Sequence, residues 1–69
     1  MEGQEIEKRF TYHAPKAGQP AKYEKLRSKA RELAELVNEL CPESREKSLA
    51  ITALEESSMW ANASIARNE

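Results

Sequence analysis

The chain has one cysteine, Cys41, one histidine, His13, two glycines, three prolines and four aromatic residues among 69. One thiol cannot close an internal disulfide, and one histidine far from it in sequence matches no metal-ligand spacing. No glycine-rich phosphate loop, no evident pair of carboxylates and no nucleophile–base pattern are present, so there is little from which to build a reaction centre, and no enzyme is expected. No apolar run reaches the length of a membrane span, and the N-terminus carries no signal-like stretch. With the lone cysteine this points to a reducing, cytoplasmic setting and no membrane partner.

Charge of one sign is also lacking. Eleven basic and 12 acidic residues leave a net −1, so no overall field draws in a DNA or RNA polymer. Any anion must be held by a local cluster, which favours a small ligand. No cofactor is implied.

At this length one domain is all that fits, and its core supplies only roughly 3–5 kcal/mol. Apolar content of 39% leaves a monomer marginal. With disulfides and metals unsupported, self-association is the remaining aid.

Residues 1–21 hold both glycines and two prolines and show no helical period, so they read as an arm. Within it Phe10, Thr11, Tyr12 and His13 form an aromatic patch that a disordered tail would seldom carry. A first helix is predicted over 21–41, with Tyr23, Leu26, Ala30, Leu33, Val37 and Leu40 as its buried stripe. Pro42 stops it near Leu40 or Cys41. The short turn forces the second helix, 43–67, to run back antiparallel, with Ser44 as a candidate cap and Glu43 and Glu46 suiting the helix dipole. The expected fold is all-α: an antiparallel two-helix hairpin with an extended N-terminal arm, assembled into a homo-oligomer.

The second helix carries two apolar faces. Ile51, Leu54, Ser58, Ala61 and Ile65 share one, and at 100° per residue Leu49, Ala53 and Trp60 fall nearly opposite. A hairpin offers this helix one partner, so the Trp60 face is expected to anchor a subunit contact. The plainer alternative is that the arm folds over Trp60 within one subunit. A rival reading of the whole chain is a small oligomeric protein-interaction adaptor docking through this face.

Basic residues cluster in the first half of the first helix. Lys22, Lys25 and Lys29 lie on one flank of its apolar stripe, and Arg27 and Arg31 on the other. Arginine beside an aromatic ring suits a flat anion: the ring stacks on a base and the guanidinium forks onto phosphate oxygens. Lysines on a helix flank are more often plain soluble surface, and Tyr12 could simply cover the hairpin. Arg67 either offsets the helix dipole or, if copies converge on an axis, joins other copies around an anion.

Four segments carry a resemblance to a known family. They are Phe10-Thr11-Tyr12-His13-Ala14-Pro15, Leu26-Arg27-Ser28-Lys29-Ala30-Arg31-Glu32-Leu33-Ala34, Cys41-Pro42-Glu43-Ser44-Arg45-Glu46-Lys47-Ser48-Leu49-Ala50, and Met59-Trp60-Ala61-Asn62-Ala63-Ser64-Ile65-Ala66-Arg67-Asn68-Glu69. In order and spacing the chain resembles the phage anti-CBASS proteins that act as cyclic-oligonucleotide sponges. The resemblance implies a hairpin assembling into a homohexamer that sequesters cyclic di- and trinucleotides without breaking a bond, blocking bacterial anti-phage signalling by mass action. It implies that Tyr12 stacks on a base of a cyclic dinucleotide such as cyclic GMP-AMP, with His13 and Pro15 shaping the arm. A basic residue of the first helix holds the phosphates, Arg27 as first choice and Lys25 as second. Arg67, with Asn68, would line a separate cyclic-trinucleotide pocket.

Overall fold

A computed structural model describes all residues 1–69, and its order is α1 (Gly3–Phe10), α2 (Gln19–Leu40) and α3 (Arg45–Asn68), with no strands. The sequence-based reading of residues 1–21 as an arm without regular structure is corrected at its start, where residues 3–10 are helical. Local electrostatics explain the helix. Glu5 lies in the first turn, Lys8 and Arg9 in the last, each placed to suit the dipole. The Arg9 guanidinium also donates to Glu5 one turn earlier at 3.1 Å. Its apolar residues are only Ile6 and Phe10, one turn apart, too few to register as a period. Both stay exposed.

Thr11 ends α1 with extended backbone, and the non-helical segment runs to Gly18. Gly18 has φ +84°, a left-handed conformation that a side chain would strain. That turn lets α2 begin at Gln19, two residues before the sequence-based boundary, with Pro20 in its first turn.

Cys41 is extended (φ −98°, ψ 135°), as the residue before a proline prefers, and α2 stops at Leu40. Ser44 caps α3: its hydroxyl oxygen accepts from the Lys47 backbone N–H at 3.1 Å. Lys47 reaches back across the turn, donating to the Asn38 carbonyl at 3.0 Å and pairing with Glu43. It thereby satisfies one of the last carbonyls of α2, which have no partner within the helix. Only 8% exposed, Lys47 is one of two buried residues in the chain.

The two long helices pack antiparallel along small residues. Ala30, Ala34 and Val37 of α2 and Ile51, Leu54, Ser58, Ala61 and Ile65 of α3 are half-buried. The stripe expected on the first helix is therefore rotated. Alanines face the partner and allow close approach, whereas Leu26 and Leu33 sit on the flank and Leu40 is 70% exposed.

No hydrophobic residue is fully buried. The molecule measures 45 × 30 × 12 Å, one helix thick. Its accessible surface of 5736 Å² compares with roughly 4,400 Å² for a folded monomer of 7.8 kDa. Its radius of gyration of 15.2 Å exceeds the roughly 11 Å expected of a compact domain of this length. Two packed helices have two sides each and only one contact between them, so both broad faces of the layer stay open.

Candidate ligand site

The open end of the hairpin brings together the 11–18 segment, the start of α2 and the end of α3. Polar contacts hold it. Lys8 donates to Asn68 Oδ1 at 2.6 Å, Lys16 to the Glu69 backbone oxygen at 2.8 Å, and Lys22 to Glu69 Oε2 at 2.5 Å. Gln19, 3% exposed, donates to Glu69 Oε1 at 3.4 Å, and its own side-chain oxygen accepts the Lys16 backbone N–H at 2.9 Å. The Glu69 carboxyl is held below its ordinary range chiefly by the Lys22 hydrogen bond. Desolvation opposes this, while the Gln19 bond and the charges of Lys22 and Lys16 reinforce it.

Tyr12 stands on this segment with its ring 83% exposed and lines none of the four main grooves of the molecule. His13 is half-buried and its Nε2 donates to the Lys8 carbonyl at 3.0 Å, tying the segment to the last turn of α1. Pro15 is exposed between them.

Lys25 and Arg27 occupy different surroundings. Lys25 lines a groove with Lys22 and Lys29 around an apolar floor of Leu26 and Ile65. It makes no ion pair, and no acidic residue lines that groove. Arg27 pairs with Glu24 and lines a groove with Tyr23, Asn62, Ala63 and Ala66, continuous with a longer one along Arg31, Met59 and Glu55. Within one chain the structure therefore separates the two candidates for the phosphate-holding role.

Arg67 is half-buried and enters no ion pair or hydrogen bond. Asn68 is engaged, accepting from Lys8 and donating to the Ser64 carbonyl at 3.0 Å. No group of His, Cys, Asp and Glu side chains is assembled in metal-holding geometry, and no helix is long and apolar enough to cross a membrane.

Three residues that the sequence reading did not single out matter here. Gln19 and Glu69 form the polar junction, and neither type nor spacing marks them, since their partners lie at the other end of the chain. Asn62 buries its side-chain oxygen without a partner. An asparagine between Ala61 and Ala63 on a half-buried face was the available signal.

The structure thus presents a free aromatic ring, cation-lined shallow grooves and uncovered apolar faces on a thin helical hairpin. Residues 2–66 match the family described as Acb2/Tad1, hairpin domain, so the chain belongs to that family, the anti-CBASS sponges, which sequester ligands rather than transform them. Arg67 and Asn68 fall just outside the matched residues. No curated protein and no solved structure matches the chain.

Proposed function

We propose that this protein is a non-catalytic sponge. It binds cyclic di- and trinucleotide messengers in the bacterial cytoplasm and withholds them from the effectors of CBASS anti-phage immunity. The observation that carries the reading is the family match over residues 2–66. The geometry supports it: Tyr12 offers an unengaged ring at the end of the hairpin where the cationic start of α2 also lies.

In this reading Tyr12 stacks on a base of a cyclic dinucleotide, and His13 and Pro15 set the path of the segment beside it. Arg27 or Lys25 takes the phosphates. Arg67, unpaired within the chain, and Asn68 serve a cyclic trinucleotide where copies meet. Affinity near 1 nM, which a sponge needs to compete with an effector, requires about 12 kcal/mol. One exposed ring and one cation do not supply that, whereas a crevice closed by two subunits covers both faces of the ligand. The thin, coreless hairpin is therefore expected to work as a homo-oligomer, with six subunits as the family resemblance implies.

The test is calorimetric titration with cyclic GMP-AMP, followed by recovery of the ligand. Binding with intact ligand recovered, lost in Tyr12→Ala while the oligomer persists, is the expected result. Hydrolysed ligand would show an enzyme instead. No heat together with the mass of a monomer or dimer would favour the adaptor reading through Trp60.

A further inference from the structure

The apolar residues of the segment that carries Tyr12, namely Tyr12 itself, Ala14, Pro15 and Ala17, are all exposed. The segment's contacts are polar: the Thr11 hydroxyl to the Glu7 carbonyl at 2.5 Å, His13 to the Lys8 carbonyl, and Lys16 to Glu69 and Gln19. The first two tie it only to α1, which itself buries no residue. An eight-residue helix without a packing partner is not self-supporting. What fixes the segment relative to the hairpin is thus the junction at the end of α3.

That junction has two parts: Lys8 on Asn68, which ties α1 to α3, and a cluster around one carboxylate that holds the 11–18 segment itself. Glu69 Oε1 receives the Gln19 side-chain N–H, and this turns the other end of the same amide toward the Lys16 backbone N–H. Glu69 Oε2 receives Lys22. Removing the carboxylate leaves the side-chain N–H of buried Gln19 without its partner and its oxygen held only by the Lys16 N–H and, at 3.5 Å, the Tyr23 hydroxyl, a larger loss than that of a lone surface ion pair.

We propose that Glu69 is a positioning residue for the ligand-stacking segment: acting through Gln19, it holds residues 11–18, and with them Tyr12, in the binding-ready place. The ligand side of this inference rests on the proposed sponge function and concerns the cyclic-dinucleotide site. If the segment is ready only part of the time, the apparent dissociation constant rises by the inverse of that fraction.

The experiment compares the full-length protein with Glu69→Ala and Glu69→Asp. Exchange of the Lys16 amide, the one backbone N–H of residues 11–18 that has a partner, is read without ligand, and calorimetry with cyclic GMP-AMP is read alongside. In Glu69→Ala, exchange of the Lys16 amide, which donates to Gln19, should quicken about tenfold and the dissociation constant rise by about the same factor, with α2–α3 exchange and oligomer mass unchanged. Glu69→Asp should recover part of both. Raising salt should quicken exchange of this amide in the wild type but not in Glu69→Ala. Unchanged exchange in Glu69→Ala overturns the proposal, as does faster exchange with wild-type affinity, and either leaves the sponge function standing. A wild type that binds no cyclic dinucleotide removes the sponge function instead, and the exchange data then decide separately whether Glu69 holds the segment.

Discussion

Replacing Trp60 with alanine tests the assembly from a quantity the structure provides. The indole is 61% exposed and donates only to Glu56 of its own helix, at 3.3 Å. A tryptophan carries about 150–250 Å² of area, so the open fraction is roughly 120 Å². At about 25 cal/mol per Å², covering it in a subunit contact contributes about 3 kcal/mol. Trp60→Ala should therefore weaken self-association by roughly two orders of magnitude per contact. Light scattering over a dilution series should show the mass falling at concentrations where the wild type stays assembled. Helicity just before dissociation should be unchanged, because Trp60 lies off the half-buried face between α2 and α3. Wild-type mass across the whole series would refute the assignment of this face to a subunit contact.

Three further outcomes are expected. Ser44→Ala removes the cap of α3 and should cost about 1 kcal/mol, read as a melting temperature lower by about 4–8 °C. Lys47→Ala strips the Asn38 carbonyl of its charged partner in a part-buried contact and should destabilise by about 1–3 kcal/mol. An equally stable variant would show that this contact does not brace the turn. The Glu69 junction should be pH-dependent in one direction. Its carboxyl is lowered from the ordinary 4.5 by Lys22 foremost, so the contribution is fully present above that value and is lost as pH falls through the depressed one. Protection of the Lys16 amide, measured relative to its intrinsic exchange rate at each pH, should fall only on that acid side; protection lost as pH rises from neutrality instead would contradict it.

Much of this molecule is local in origin and was legible as such. Pro20, Pro42 and Ser44 punctuate two helices whose apolar residues recur at three and four, and a short turn leaves antiparallel return as the sterically simple outcome. The two-faced character of α3, with Trp60 opposite Ile51, also follows from spacing alone. In α1 the electrostatic pattern of Glu5, Lys8 and Arg9 outweighed a glycine and a sparse apolar content, which a search for periodicity passes over.

The sequence by itself determined the helical class, the hairpin turn and the excess of apolar surface, because each depends on neighbours within a few residues. Tertiary structure decided which side of α2 meets α3. Alanines rather than leucines face inward there, since small side chains permit the closer approach, and that choice exposes Leu26 and Leu33. It also joined Glu69 to Gln19 and Lys22 across some 50 positions of chain. Such contacts depend on the rotation and crossing of whole helices, which no local pattern of residues encodes.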